Sequence, residues 1–121
     1  MTSDLEHEAP WTQRLAALDQ ALADRLLSRA FYEWHEAHAD AFQSDRWEAL
    51  VAVGDAALRI DAVVGVVAGF RADARRVYLA ALVRARAQRS AEGAARVAEA
   101  FTRLGDTQLA QHARRVEAEL W

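Results

Sequence analysis

Apolar side chains recur every three or four positions along most of this chain, and that spacing constrains the fold more than any other feature. In the first third the apolar positions are Trp11, Leu15, Leu18, Leu22, Leu26, Phe31 and Trp34. A period near 3.6 residues places such side chains on one face of a helix. No segment alternates apolar and polar residues with β-branched enrichment, as a half-buried strand does. The spacing therefore predicts an all-α protein.

The first helical stretch begins at Pro10, the only proline in the chain. Proline is tolerated in the first turn of a helix, where its missing N–H has no intrahelical partner. No glycine or proline interrupts residues 11–43, so this stretch is one long helix or two, with a break near Asp24. We expect residues 1–9 to be a polar N-terminal tail and residues 10–121 to be a single helical domain.

Polar residues mark the start of the next helix, which we predict over residues 46–60. Ser44 or Asp45 can cap this helix, and Glu48 follows at the spacing of a capping box. Asp61 is expected to cap whatever follows.

The apolar stretch 62–70 contains Gly65 and Gly69 among four valines. It predicts either a short buried helix or the start of a longer one. The two glycines have a small-x-x-x-small spacing, which lets helices approach closely, and we interpret it as internal packing.

Three further helices are predicted in the second half of the chain. The alanine-, leucine- and arginine-rich residues 72–89 form the first, and residues 90–93 form a turn. The second helix covers residues 94–104 and ends at Gly105, a typical C-cap residue. Asp106 or Thr107 caps the last helix, which runs to about Leu120.

The composition suits a protein with its own core and excludes several functional classes. Hydrophobic residues make up 53% of the chain, the net charge is −3, and cysteine is absent. The lack of a basic bias argues against nucleic acid as a partner, and the longest apolar run is too short to span a membrane. We expect a cytoplasmic protein without a cofactor. Its basic residues are all arginine and it is rich in alanine, which indicates a bacterial source.

A weak internal repeat has a spacing of 46 residues. The matching pairs include Tyr32 with Tyr78, Ser44 with Ser90, Ala49 with Ala95, Ala52 with Ala98, and Leu58 with Leu104. Two stacked helical hairpins would leave this pattern.

The second half of the chain resembles the tetratricopeptide repeat (TPR) family. In one register Tyr78 stands at the aromatic position of a first helix, followed by Ala81, Leu82 and Ala85, and Ala94, Ala98 and Phe101 fall on the second helix. In another, incompatible register residues 98–106 end a first helix and residues 107–110 begin a second. The resemblance implies antiparallel helical hairpins, stacked as a TPR-like array or a small bundle. It also implies a groove that recognises protein.

Two histidines on one predicted helix could bind a metal ion. His35 and His38 are three residues apart and hence neighbours on one helical face. The zincin motif requires two histidines four residues apart with a glutamate after the first, so this signature is absent. A polar, partly exposed helix face is the interpretation that we prefer.

Four arginines, Arg71, Arg75, Arg86 and Arg89, project within about 60° of one another on a helical wheel. Such a face can bind an acidic protein or peptide, or it can be solvated and paired with carboxylates. Leu82 points in nearly the same direction, so two small clusters around a packed centre are expected. Trp121, an aromatic residue at the last position, could dock on the domain or on a second subunit.

These features lead to three functional hypotheses. The first is a non-enzymatic protein–protein interaction module of helical-repeat type. The second is a self-associating helical bundle, a homodimer with a structural or regulatory role. The third is a metal-binding helical protein that uses His35 and His38.

Overall fold

The computed structural model describes residues 9–65 and 69–121, and 86% of these residues are helical, with no strand among them. The helices in these two ranges are α1 (Pro10–Ala23), α2 (Leu27–Gln43), α3 (Trp47–Val64), α4 (Phe70–Ala87), α5 (Ala91–Leu104) and α6 (Thr107–Leu120). The all-α prediction is confirmed, and the first break lies at Asp24 as predicted. Residues 1–8 of the predicted tail lie outside the described residues. None of the described helices is both long and apolar enough to cross a membrane.

Helices that follow one another along the chain pack as antiparallel pairs. The closest pairs are α1 with α2, α3 with α4, and α5 with α6, while α2–α3 and α4–α5 contacts join one pair to the next. The odd-numbered helices also touch one another, and Asp19 of α1 pairs with Arg59 of α3 while Asp55 of α3 pairs with Arg103 of α5. They run parallel because each is antiparallel to the even-numbered helix that links it to the next. The result is three hairpins side by side in two layers.

The layer of even-numbered helices opens between α2 and α4. Among the described residues, α2 and α4 do not pack closely against each other, whereas α4 touches α6. At one end the gap is filled by aromatic rings, since Phe70 of α4 lies 5.3 Å from Phe31 and 5.5 Å from Trp34 between ring centroids. At the other end Arg84 of α4 donates a 2.9 Å hydrogen bond to the carbonyl of Ala41. These contacts hold α2 and α4 parallel, with a groove between them.

Every helix contributes to one apolar core. Its largest fully buried side chains are Tyr78, Phe101, Leu18, Leu50, Ile60, Val51, Val53 and Val97. Trp34, Trp47 and Leu82 are also buried, and Leu82 forms part of the packed centre expected on its helix. The Trp34 indole is also fixed by a 3.0 Å hydrogen bond from its Nε1 to the carbonyl of Val53 on α3.

Local side-chain chemistry sets the ends of the last two helices. The Ser90 hydroxyl accepts from the amide of Gly93 at 2.9 Å and so caps α5, which makes residues 91–93 the first helical turn and not the predicted loop. Gly105 ends α5 in the left-handed conformation, with φ of 85°, as predicted. The Asp106 carboxylate accepts from the amide of Leu109 at 3.2 Å and caps α6.

The predicted caps of the central helices are wrong. Ser44 ends α2, where its hydroxyl donates to the carbonyl of Ala41 at 2.7 Å and accepts from the amide of Arg46 at 3.2 Å. Asp45 adopts a φ of 67° in the turn, and α3 begins after Arg46 without a side-chain cap. Asp61 lies inside α3, which continues to Val64. The helix continues past Asp61 because no glycine or proline interrupts it before Gly65, its C-cap.

The interpretation of Gly65 and Gly69 as helix-packing residues is also wrong. Both have positive φ, 82° and 76°, and they flank the connection between α3 and α4. Residues 62–64 of the ambiguous stretch end α3, Phe70 begins α4, and residues 66–68 lie outside the described residues. Close approach of helices occurs instead at Gly54 and Gly93, where an added Cβ would meet a neighbouring side chain within 3.0 Å.

We predict that Gly54→Ala lowers the free energy of unfolding by up to about 2 kcal/mol. The new methyl group would lie 2.7 Å from Cδ1 of Tyr78, a buried ring that cannot move aside. Overpacking of this kind costs about 1–3 kcal/mol, and the better helix propensity of alanine returns about 1 kcal/mol. Urea denaturation measures the difference. In a Tyr78→Leu background the same change should be neutral or stabilising, and an equal loss in both backgrounds would contradict this packing.

Candidate functional site

The four arginines of the predicted partner face mostly contact the chain itself. Arg71 donates to the carbonyl of Leu104 at the end of α5, and Arg75 forms a 2.9 Å ion pair with Asp106, the cap of α6. Arg86 lies 3.7 Å from Glu119 of α6. A guanidinium satisfies free carbonyls at a helix end and complements its negative dipole. These contacts tie α4 to the third hairpin.

The other two predicted partner residues lie at the surface. Arg89 follows α4 in a turn, with φ of 55°, and is exposed. Trp121 is 86% exposed, and its Nε1 lies 3.4 Å from a carboxylate oxygen of Glu117 on the same helix. The indole of Trp121 therefore does not dock on the described part of its own domain. Three of the five predicted residues thus contact the third hairpin, and Arg89 and Trp121 are exposed.

His35 and His38 both face the space between α2 and α4. The described residues hold no group of three histidine, cysteine or carboxylate side chains positioned to bind a metal ion. The two imidazoles contact aromatic rings instead. The His38 ring stacks on Trp34 with centroids 5.2 Å apart and 28° between planes, and His35 meets Trp34 edge-on at 5.2 Å.

These histidines line a concave surface between α2 and α4. It is a cavity of about 400 Å³ formed by Trp34, His35, His38 and Phe42 of α2 and by Asp73, Arg76, Val77 and Ala80 of α4, and we call it the α2–α4 groove. The α2 residues recur at steps of one, three and four, which places them along one helical stripe. Phe31 and Trp34 of α2 pack on Phe70 of α4, so this side of α2 faces α4.

The rim of the groove is apolar. Phe42 is 59% exposed, and Val83, three residues beyond Ala80 on α4, is 69% exposed. The Phe42 ring lies edge-on to His38 at 6.2 Å and carries the Arg84 guanidinium 5.3 Å from its centroid. Exposed large apolar side chains beside a concave surface are typical of interaction sites. Neither Phe42 nor Val83 was singled out in the sequence, although Phe42 continues the stripe of Trp34, His35 and His38.

Two oppositely charged side chains line the groove. Asp73 and Arg76 of α4 form an ion pair one turn apart. Burial lowers the pKa of the half-buried His38 below its ordinary value, and His35 and Arg76 lower it further, while Asp73 acts in the opposite direction. This shift favours the neutral form of His38, whose ring lies between the aromatic neighbours Trp34 and Phe42.

The layer of odd-numbered helices presents a different kind of surface. The Tyr78 hydroxyl donates to Asp55 at 2.5 Å, and Arg103 donates to the same carboxylate at 3.3 Å. Burial and this hydrogen bond to a carboxylate raise the pKa of Tyr78 well above its ordinary value. Arg59 binds both oxygens of Asp19. Because these charges neutralise one another, this cluster connects helices and offers little to a ligand.

Comparison of the chain with protein-family models, with characterised proteins and with solved structures gave no match. The groove is therefore the feature of the molecule that best indicates a function. It combines apolar ring faces, two imidazoles and one ion pair on two rigid helices, and these are groups that bind a side-chain stripe of a peptide.

Proposed function

We propose that this chain is a protein interaction module of helical-repeat type, which binds a peptide segment of a partner protein in the α2–α4 groove and catalyses no reaction. The observation that supports the proposal is the groove itself, a cavity of about 400 Å³ whose lining includes the buried Trp34 and the exposed Phe42. Val83, three residues beyond the lining residue Ala80 on α4, is also exposed. Binding hot spots are enriched in tryptophan and cluster in well-packed pockets.

The helical-repeat part of the proposal is supported by the arrangement of the hairpins. Pairs α3–α4 and α5–α6 pack most closely in the second half of the chain, which agrees with the register in which residues 98–106 end a first helix and residues 107–110 begin a second. Stacked hairpins also make equivalent helices run parallel, as α1, α3 and α5 do. The same proposal places the module in the cytoplasm of a bacterium, in line with its composition.

The groove is a better candidate for the partner surface than the arginine face. Arg71 and Arg75 already bind groups of the third hairpin, so a partner would have to displace them. Phe42 and Val83 are exposed, and a partner that covers them gains apolar burial, which contributes about 25 cal/mol per Å².

A displayed library of random 16-residue peptides, selected on the purified protein at neutral pH, tests the proposal. We expect enriched peptides whose binding is weakened at least tenfold by Phe42→Asp and by Val83→Asp, which corresponds to about 1.4 kcal/mol or more. Tyr32→Asp is the matched control, because Tyr32 lies on the same helix, is 53% exposed and does not line the groove. Binding should be measured by fluorescence anisotropy after circular dichroism shows that each variant is folded.

Two outcomes would contradict the proposal. One is a selection in which no peptide is enriched over a blank surface. The other is a set of enriched peptides that lose affinity equally with Tyr32→Asp and Phe42→Asp, since such peptides would bind outside the groove.

A second candidate, a homodimer, is favoured by one observation. Trp121 is 86% exposed at the end of α6, and a large aromatic side chain in that position is typical of an interface. Light scattering across a concentration series distinguishes the two functions. A dimer that Trp121→Ala dissociates would support self-association, and a monomer throughout would exclude it.

A further inference from the structure

The shape of the α2–α4 groove limits what can occupy it. On α2 the lining runs from Trp34 to Phe42, eight residues apart, which is about 12 Å at 1.5 Å per residue. This length corresponds to about two turns of a docked helix. Because both walls are helices with Trp34 packed at the floor, the groove accepts a row of apolar side chains and not a bulky folded surface.

The charges around the groove favour an acidic occupant. Arg76 lines it and Arg84 borders it at Phe42, while Asp73 is the carboxylate among the lining residues. Arg76 already pairs with Asp73, so these two groups add little net charge. His38, which also lines the groove, decides the balance, since it adds a positive charge when protonated.

His38 is the group that a bound carboxylate would affect most. Its ring is half-buried between Trp34 and Phe42, and the charged or titratable groups that face it are His35 on its own helix and Asp73 and Arg76 on α4. Asp73 is the carboxylate that acts on His38 across the groove, and it is already paired with Arg76. A carboxylate supplied by an occupant would fill that role.

We propose that the α2–α4 groove binds an acidic amphipathic peptide segment and binds it more tightly as the pH falls, because a peptide carboxylate pairs with protonated His38. This inference rests on the proposed interaction function and adds the chemistry of the partner and its dependence on pH. Binding takes up a proton, so affinity rises by at most about tenfold per pH unit for each proton. Peptide glutamates stay ionised in this range, since their ordinary pKa is about 4.3.

The test selects the same displayed 16-residue library in parallel at pH 5.5 and at pH 7.5. We expect peptides enriched at pH 5.5 to carry an excess of Asp and Glu beside apolar residues spaced three or four apart. Their dissociation constants, measured by fluorescence anisotropy, should be about tenfold lower at pH 5.5 than at pH 7.5. Calorimetry in buffers of different ionisation enthalpy should detect the proton uptake directly.

Variants separate the role of His38 from that of the fold. His38→Phe keeps an aromatic ring against Trp34 and removes the proton, and His38→Gln removes both, so either should flatten the pH dependence while Phe42-dependent binding persists. His112→Gln on α6 is the matched control, because His112 is exposed and does not line the groove. Circular dichroism at pH 5.5 verifies that each protein is folded.

Failure of this inference is distinguishable from failure of the proposed function. Groove binders without an acidic bias, or with the same affinity at both pH values, would overturn the acidic-partner inference and leave the interaction module standing. An unchanged pH dependence in both His38 variants would also overturn it. A library without any Phe42-dependent binder would overturn both.

Discussion

Phe101→Ala is expected to lower the free energy of unfolding by about 3–5 kcal/mol, the cost of truncating a fully buried aromatic ring. Phe101 of α5 has no exposed surface and meets Tyr78 of α4 edge-on, with ring centroids 5.8 Å apart. The change removes apolar burial, leaves a cavity between two helices and breaks an aromatic contact worth about 0.5–1.5 kcal/mol. Urea denaturation followed by circular dichroism measures the loss.

Phe42→Ala provides the control for that experiment. Phe42 is the same residue type but is 59% exposed, so its truncation should cost less than about 1 kcal/mol, mainly the contact with Arg84. If Phe101→Ala prevents folding, Phe101→Leu keeps most of the volume and should give a smaller measurable loss. Equal costs at Phe101 and Phe42 would show that this core assignment is wrong.

Leu82→Ala is expected to cost about 2–5 kcal/mol. Leu82 is 4% exposed and lies on α4 between Arg75 and Arg86. The large expected loss follows from its position in the core, because α4 packs on α3 and α5 at the same time. The same denaturation experiment applies.

The adjacent residue gives a stringent control for Leu82. Val83 is exposed, so Val83→Ala should change the free energy of unfolding by less than about 0.5 kcal/mol. The two substitutions are one residue apart, which makes the ratio of their effects a direct measure of the helical register of α4. A Leu82→Ala cost below about 0.5 kcal/mol would contradict the register.

The arginines of α4 illustrate how one helix can stabilise a three-hairpin fold. Arg84 donates to α2 near its C-terminal end and Arg75 pairs with the cap of α6, so the helix connects the turns of both neighbouring hairpins. Exposed ion pairs contribute about 0–1 kcal/mol each, and their geometry matters more here than their strength. By fixing α2 against α4, Arg84 sets the width of the groove that we propose as the binding site.

The internal repeat with a spacing of 46 residues does not predict equivalent environments for its matching residues. Tyr32 and Tyr78 match at a spacing of 46 residues, yet Tyr32 is 53% exposed and Tyr78 is fully buried. The match therefore does not correspond to an equivalent environment. Side-chain identity at one spacing carries less information than the periodicity of many apolar residues, particularly in a chain rich in alanine.

The amino-acid sequence by itself determined the helices and most of their burial. Periodicity places Leu82, Trp34 and Trp47 on inward faces, and Gly105 and Asp106 end one helix and begin the next. Such signals act between residues three or four apart, where the period of the helix alone defines the neighbours. The spacing of the α2 residues from Trp34 to Phe42 is also visible in the sequence, but the sequence does not show that α4 lies opposite them.

The tertiary structure decided which helices are neighbours and therefore where the site lies. Arg75 meets Asp106 across 31 positions of the chain, and Arg84 meets Ala41 across 43, so no local pattern could assign these partners. Glu33 is 2% exposed and pairs with Arg29 one turn away on α2, and its second partner, Arg14 of α1, reaches it only once the two helices pack. The parallel approach of α2 and α4 likewise depends on contacts between residues far apart in sequence, and it turns two histidines into the wall of a groove.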